Sequence, residues 1–147
     1  MVDHLTKAQR SQLMGKIKAT NTNPERLLRS SLHHRGLRFR LHRRSLPGNP
    51  DIVFPGARIA VFVHGCFWHQ HTCGRGTMPA SRAYFWRAKF ERNRVRDQAV
   101  TRLLTAMGWT QIVIWECEIS SVATRNRGVR RIEGAVKRRT PRKTGQM

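Results

Sequence analysis

One short stretch of the chain carries four of the side chains that most often bind metal ions: Cys66, His69, His71 and Cys73. The only other cysteine, Cys117, lies far downstream. Four-coordinate zinc takes thiolate and imidazole ligands, and a closed set of three cysteines and one histidine is structural rather than catalytic. We predict a structural Zn2+ bound by Cys66, His71, Cys73 and Cys117. Such a site requires two distant segments to meet in the fold.

The alternative is that these are small buried cysteines and scattered histidines of a basic protein. The odd count, 3 Cys, argues against a disulfide framework and suits a reducing compartment, where metal thiolates form instead. The zinc assignment leaves His64 and His69 free. Histidine is the side chain best suited to move protons near neutral pH, so both are candidates for a catalytic role.

The chain is strongly basic, with 29 Lys and Arg against 8 Asp and Glu and a formal net charge of +21. Such a field attracts polyanions, so nucleic acid is the expected partner. Composition alone leaves a ribosomal-type or merely adhesive basic protein open. No apolar run approaches the length of a membrane span, and the N-terminus has no secretory signal. We therefore expect a soluble, cytoplasmic bacterial protein that is nucleoid-associated when on DNA.

The length fits one compact domain, and the residue pattern predicts an α/β fold in which a mixed sheet is flanked by helices. Composition divides the chain into a basic DNA-binding arm at residues 1–20, a core at residues 21–123 and a basic, partly disordered tail at residues 124–147. Periodicity predicts helices at residues 6–20, 23–36 and 81–107, with Asn23 as an N-cap, and strands at residues 37–42, 51–54, 59–63 and 111–116. The two middle strands are predicted to form a hairpin.

Asp51 follows Pro50 and starts a hydrophobic strand in a chain with few acids. Phosphodiester cleavage uses Mg2+ held by oxygen ligands, which polarises the phosphate and stabilises the leaving oxygen, and a base that activates water. Asp51 and His69 are candidates for these two roles. A turn-forming aspartate is the structural alternative for Asp51.

Three stretches of the sequence resemble the very-short-patch repair endonucleases. They are LPGNPDIVF at residues 46–54, VFVHGCFWH at 61–69 and IWEC at 114–117. The similarity runs from about residue 8 to residue 117. It implies a restriction-endonuclease-like α/β fold and an enzyme that nicks one DNA strand 5′ to the thymine of a T:G mispair left by deamination of 5-methylcytosine. Such a cut leaves a 5′-phosphate and a 3′-hydroxyl for repair synthesis.

The resemblance also implies roles for individual residues. By the family's pattern, Asp51 is the central Mg2+ ligand and the backbone carbonyl of Val63 lies beside it. His69 is then the base that activates water, and His64 contacts the scissile phosphate or its waters. These assignments give His64 and His69, which the zinc site does not use, roles in one reaction.

Two further acids, Glu25 and Asp97, are assigned by the resemblance to the outer shell, where they order metal-bound water. Two positions depart from related patterns. The wider superfamily places an acid and a lysine two residues apart on the second hairpin strand, where this chain has Phe62 and His64. The repair family is expected to have a hydroxyl residue where Val63 stands, and a ligand that acts through its carbonyl survives that change.

Phe67 and Trp68 are large apolar side chains inside a polar loop. Such residues can wedge between base pairs and unstack a step, most easily where a mispair has weakened it. The resemblance assigns intercalation beside the T:G pair to Phe67, Trp68 and Trp86, with Met14 of the arm entering from the opposite groove. A place in a helix core is the alternative for Trp86, and the apolar face of an amphipathic arm is the alternative for Met14.

The expected substrate is double-stranded DNA with a T:G mismatch in a context related to CTWGG. Mismatch-repair proteins are candidate partners, and a monomer is the expected state. Two other functions fit part of the sequence. A zinc-stabilised DNA- or RNA-binding protein explains the charge, cysteines and aromatics but gives Asp51, His64 and His69 no role. A general restriction-type endonuclease explains the fold and the metal but cleaves fully paired duplex.

Overall fold

The structure of the protein is a computed structural model that describes Thr6 and residues 21–74 and 76–141. Nearly all of the predicted arm, including Met14, lies outside these residues. The elements in chain order are α1 (Asn23–His34), β1 (Arg40–Leu41), β2 (Ile52–Phe54), β3 (Ile59–His64), α2 (Ala83–Ala106), β4 (Thr110–Trp115), α3 (Glu116–Ile119) and α4 (Val122–Arg139). No helix within the described ranges has the length and apolar character that crossing a membrane demands.

The four strands form one mixed sheet in the order β1-β2-β3-β4. β1 and β2 pair antiparallel, as do β2 and β3, which confirms the predicted hairpin. β3 and β4 pair parallel over their full length, from Ile59↔Thr110 to His64↔Trp115. Both strands therefore end at the same edge of the sheet.

The sheet is covered by helices on both faces, because successive side chains of a strand point to opposite sides. On β3, Ile59 and Val61 belong to one buried cluster, whereas Ala60 and Phe62 belong to another. The first cluster includes α1 and α4, through residues such as Leu28, Leu32, Val129 and Ile132. The second includes Leu104 of α2. The predicted α/β class with a mixed sheet flanked by helices is confirmed.

The N-cap of α1 is Thr22, and Asn23 is the first helical residue, so the predicted cap was placed one residue too late. The Thr22 hydroxyl accepts a hydrogen bond from the Glu25 N–H at 3.4 Å. Pro24 fits this first turn because its missing N–H would have no helical partner there. Glu25 thereby sits in the first turn of α1 and is buried, with only 4% of its surface exposed.

β1 is much shorter than the predicted strand at residues 37–42, because only Arg40 and Leu41 pair with β2. Leu37 and Phe39 instead pack against the core formed with α1, and the Phe39 ring lies 4.6 Å from that of His33. His42 adopts a left-handed φ of 46°, which is incompatible with continuing the strand.

Part of the predicted basic tail at residues 124–147 packs into the core, within the residues of that range that the structure describes, 124–141. α4 runs to Arg139 and buries Val129 and Ile132 against the sheet and α1. The helix spaces these two residues so that both face inward, while the cations face outward. At its end, the Arg139 guanidinium donates to the carbonyls of Ala57 and Gly108 at 2.8 and 3.2 Å.

We expect Ile132→Ala to lower the free energy of unfolding by about 2–5 kcal/mol, the usual cost of emptying a fully buried aliphatic site. Val122→Ala, in the same helix but with 63% of its surface exposed, is the matched control and should change stability by less than about 0.5 kcal/mol. Urea unfolding followed by circular dichroism measures both. Equal, small effects would contradict a core role for α4.

Candidate active site and metal cluster

Asp51 lies directly before β2, at the edge where β3 ends. Its N–H donates to the Val61 carbonyl at 3.0 Å, and its carboxylate Oδ2 accepts the Val63 N–H at 2.7 Å. The Asp51 side chain thus accepts a backbone N–H of β3 that lies beyond the residues of β3 paired with β2. The geometry brings the Asp51 carboxylate and the backbone of Val63 together, as the predicted cation site requires.

Burial is the main cause that raises the pKa of Asp51 from 3.8 to about 7, and the neighbouring Glu25 carboxylate acts in the same direction. The hydrogen bond from the Val63 N–H and the charge of Arg29 lower it, but by less. A desolvated carboxylate close to another acid resists ionisation unless a cation is near. Asp51 is therefore a group whose charge a bound cation would stabilise.

Glu25 and His42 approach Asp51 so closely that one ligand atom from each lies within 4.8 Å of the others. Glu25 Oε2 accepts the Asn21 N–H at 3.0 Å and lies 3.7 Å from His42 Nε2. The predicted proximity of Glu25 to the cation site is present in the geometry. His42 is a member that the sequence analysis did not single out.

The three other predicted catalytic side chains form a second group. The rings of His64 and His69 stack at 3.8 Å with an interplanar angle of 4°. Asp97 of α2 contacts His69, and its Oδ2 is 2.5 Å from His69 Nδ1. Burial, with a contribution from His69, lowers the pKa of His64 to about 4, so His64 is neutral at physiological pH.

Asp97 therefore contacts a histidine, whereas the sequence analysis assigned it only to ordering metal-bound water. A carboxylate on Nδ1 selects the tautomer in which Nδ1 carries the proton, and it leaves Nε2 free to accept one. The same contact stabilises the imidazolium that forms after proton transfer. The pair has the arrangement expected of a general base and the acid that orients it.

A cleft of about 920 Å3 joins the two groups, since Asp51, His42, His64, His69 and Asp97 all line it. Its walls also carry three cations and the Trp68 ring. These cations are Arg44, Lys89 and Arg96. A cleft lined by both acids and cations is suited to bind a phosphodiester, because the cations can contact its flanking phosphates.

The predicted metal-binding cluster assembles in the structure. Cys66, His71, Cys73 and Cys117 place their ligand atoms within 4.8 Å of one another. The Cys117 N–H donates to Cys66 Sγ at 3.4 Å, and Cys117 Sγ lies 3.5 Å from His71 Nδ1. Trp115 stacks on the His71 ring at 4.1 Å. Burial raises the pKa of the Cys66 thiol to about 12, so a metal ion must displace its proton to bind.

The predicted intercalating residues form one aromatic cluster with Phe90. The Phe67 ring makes edge contacts of 5.1 to 5.3 Å with Trp68, Trp86 and Phe90. Phe67, Trp68 and Trp86 are only partly buried, whereas Phe90 is 7% exposed. Lys89 Nζ lies 5.0 Å above the Trp68 ring. The cluster presents apolar surface beside the cleft.

Asn93 is a second residue that the sequence analysis missed. It is buried on α2, and its amide donates to the Trp68 carbonyl at 3.0 Å, while Arg96 donates to its side-chain oxygen. The bond ties the loop that carries Trp68 and His69 to α2. A lone asparagine in a long helix offers no sequence signal for such a role.

A mixed sheet between helices, with acids and histidines in a cation-lined cleft at the strand ends, defines a DNA endonuclease of the restriction-endonuclease-like fold. Residues 2–75 match the family model described as DNA mismatch endonuclease Vsr. The chain belongs to this family. The predicted family and the endonuclease class are thereby confirmed, which leaves a non-catalytic binding protein without support.

Several relatives are similar in sequence to this chain over most of its length. The type II nicking enzyme V.XorIIP of Xanthomonas oryzae is 48% identical over 132 residues, which are 90% of this chain and 97% of the relative. The type II nicking enzyme V.NmeAIP of Neisseria meningitidis is 40% identical over 140 residues, 92% and 100% of the two chains. The DNA mismatch endonuclease Vsr of Escherichia coli is 41% identical over 119 residues, 81% and 76%.

The raised pKa of Asp51 predicts how stability changes with pH when no divalent cation is added. Because the folded-state pKa, about 7, lies above the ordinary value of 3.8, the native state holds this proton more tightly than the unfolded state does. The Asp51 contribution to stability is present below pH 4 and is lost as pH rises through 7. Asp51→Asn keeps an acceptor for the Val63 N–H and removes this loss, which amounts to roughly 4 kcal/mol at most.

Thermal unfolding of both proteins from pH 4 to pH 8, without added divalent cation, tests this expectation. The advantage of Asp51→Asn should grow across the range and then level off. Glu91→Gln, at an exposed acid paired with Arg94 on α2, is the control and should show no such gain. A constant difference between wild type and Asp51→Asn would show that Asp51 is not destabilised by its charge.

Proposed function

We propose that this endonuclease nicks one strand of duplex DNA 5′ to the thymine of a T:G mispair, by Mg2+-dependent hydrolysis. The observation that carries the proposal is one cleft with two different groups. One group is the carboxylate of Asp51 with the backbone of Val63 beside it. The other is His69 with Asp97, a base with its orienting acid. Hydrolysis of a phosphodiester needs both functions close together.

The residues present fit a magnesium ion. Mg2+ prefers carboxylate and carbonyl oxygens and keeps several waters, and Asp51 and the Val63 carbonyl would hold it. The buried Asp51 carboxylate, which resists ionisation beside Glu25, would be stabilised by the cation. When bound, Mg2+ polarises the phosphate and offsets the charge that develops on the leaving oxygen. Glu25 would accept hydrogen bonds from the waters around it.

His69 would act as the general base. With Nδ1 engaged by Asp97, Nε2 can take a proton from the attacking water. The water oxygen forms a bond to phosphorus, the bond from phosphorus to the 3′ oxygen breaks, and that oxygen gains a proton from solvent. The products are a 3′-hydroxyl and a 5′-phosphate. His64, kept neutral by its lowered pKa, would donate a hydrogen bond to the phosphate without adding charge.

The aromatic cluster supports recognition of a weakened base step. Phe67, Trp68 and Trp86 support one another through ring contacts, so a wedge built from them needs little ordering on binding. Unstacking costs about a few kcal/mol per step and least at a mispair. We also propose that Met14 enters the DNA from the opposite groove. The preference for a CTWGG-type context, monomeric action and contacts with mismatch-repair proteins are further parts of the proposal.

The cysteine and histidine cluster is proposed to hold a structural Zn2+. Its donor set of three thiols and one imidazole is the one that structural zinc sites use. The set is closed, because all four ligands come from the protein. The metal would therefore stabilise the fold rather than take part in cleavage.

The decisive experiment is strand-specific nicking of a labelled duplex with one T:G pair in a CTWGG context. We expect a cut 5′ to the mispaired thymine with Mg2+ and none with EDTA or with the fully paired control duplex. Asp51→Ala should lower nicking by about a hundred- to a thousandfold, the usual cost of removing one group that stabilises charge in the transition state. Its affinity for the T:G duplex should change little.

Three outcomes would contradict this proposal. Equal cutting of both duplexes would favour a general restriction-type endonuclease. Binding of both without any cut would contradict the proposed chemistry at this site. Parallel loss of binding and nicking in Asp51→Ala would assign Asp51 to folding or DNA affinity. Glu91→Gln, an exposed acid change on α2, serves as the activity control.

Cys117→Ser should release the bound zinc and lower Tm by well over 5 °C, because zinc binding free energy contributes directly to folding free energy. Metal analysis and differential scanning calorimetry measure the two effects. Ser30→Ala, at an exposed position of α1, provides the control. Unchanged zinc content and melting in Cys117→Ser would remove Cys117 from the metal site.

A further inference from the structure

His42 is held beside the proposed cation ligand by the register of the sheet. Leu41 pairs with Ile52, so residue 42 lies opposite Asp51. The His42 N–H donates to the Asp51 backbone carbonyl at 3.2 Å. The φ of 46° at His42 lies in the left-handed region, which is uncommon for residues other than glycine, although histidine, like asparagine and aspartate, adopts it more often than most. The backbone therefore fixes a histidine at the cation site, at some conformational cost.

The imidazole of His42 lies within reach of an ion bound to Asp51. Its ligand atom, one from Glu25 and one from Asp51 lie within 4.8 Å of one another. Mg2+ and similar ions hold ligands at about 2.1 Å, so opposite ligands of one ion lie roughly 4 Å apart. Small side-chain rotations would bring the three atoms onto one ion.

His42 Nε2 has only weak contacts within the described residues. It lies 3.4 Å from Asn21 Oδ1 and 3.7 Å from Glu25 Oε2, and both distances exceed those of ordinary N–H···O hydrogen bonds. The side chain is 25% exposed and lines the same cleft as Asp51. Nε2 is thus available to a ligand.

We propose that His42 Nε2 is a further ligand of the catalytic divalent cation, and that this nitrogen makes the site prefer Mn2+ to Mg2+. The inference rests on the proposed role of Asp51 as cation ligand. Mg2+ favours oxygen ligands and gives up water reluctantly, whereas first-row transition ions accept imidazole together with carboxylates. Glu25 fits either directly on the ion or on one of its waters, and the proposal holds in both cases.

The test uses Mn2+ itself as the probe, on the full chain loaded with zinc. Pulsed electron paramagnetic resonance should detect a nitrogen hyperfine coupling on bound Mn2+ in the wild type. His42→Gln, which offers an amide oxygen instead, should abolish that coupling. The variant should also weaken Mn2+ binding by about tenfold, the lower end of what loss of a group at a metal site costs. Affinity for Mg2+, measured by competition, should fall much less.

His34→Gln is the matched histidine control. His34 lies at the exposed end of α1, where its Nδ1 contacts the Ser30 carbonyl at 2.7 Å, and it lines a different groove, with Arg35 and Arg130. It should keep both the coupling and the ratio of Mn2+ to Mg2+ affinity. A merely structural role of His42 could weaken binding of both ions alike, but it would not remove the nitrogen signal selectively.

Several results would overturn the proposal. They are absence of bound Mn2+ or of nitrogen coupling in the wild type, coupling that persists in His42→Gln, and an unchanged affinity ratio in that variant. Asp51→Ala separates the two hypotheses. If Asp51→Ala keeps full Mn2+ affinity, the proposed role of Asp51 fails. If Asp51→Ala loses Mn2+ while His42→Gln keeps the coupling, the proposed role of Asp51 as cation ligand is retained and His42 is excluded as a ligand.

Discussion

The parallel pairing of β3 with β4 is the contact on which both sites depend. Their last paired residues, His64 and Trp115, lie side by side at one edge of the sheet. Two residues beyond each strand end come Cys66 and Cys117, which meet through an N–H···S bond. The loop after Cys66 then returns and stacks His69 on His64. Without this strand pair, neither the metal cluster nor the histidine stack would form.

The site also resolves a conflict between charge and burial. A chain of net charge +21 attracts DNA, yet the Asp51 carboxylate lines its cleft and has the buried Glu25 carboxylate beside it, and both acids repel a phosphate. Burial makes this repulsion costly and holds the pKa of Asp51 near 7. A divalent cation between carboxylate and phosphate would satisfy both. The chemistry that the cleft favours is thus one in which cation and DNA support each other's binding.

Much of the sheet and the metal cluster could be predicted from sequence, because both rest on local signals. Two continuous apolar runs indicate β2 and β3, and closely spaced cysteines and histidines, with Cys117 as the one remaining cysteine, indicate the cluster. His42 could not be predicted, since its place beside Asp51 depends on the register between two strands and on a left-handed turn. The contact of Asp97 with His69 likewise depends on how α2 lies across the sheet.

The packing of α4 could not be predicted for a different reason. Its composition is dominated by cations, and Val129 and Ile132 are few apolar residues from which to predict a buried helix face. Tertiary packing decides such cases, because two fully buried aliphatic side chains facing α1 and the sheet stabilise a helix that composition describes as a solvated tail. The catalytic roles came from the family resemblance, and the structure adds which of those residues lie in contact.

The loop between the two sites has a mechanical consequence. Within a few consecutive residues it carries two ligands of the metal cluster, the aromatic side chains of Phe67 and Trp68, and His69. Cys66 lies at one end of this segment and His71 at the other, both in the metal cluster. In the middle of the segment, the Asn93 side chain donates a hydrogen bond to the Trp68 carbonyl. A single peptide bond joins Trp68 to His69, so any force on the ring is transmitted to the imidazole. In the proposed mechanism, the side chain that contacts the base step and the base that activates water are neighbours on this one segment, so a shift of the backbone at Trp68 would also displace His69.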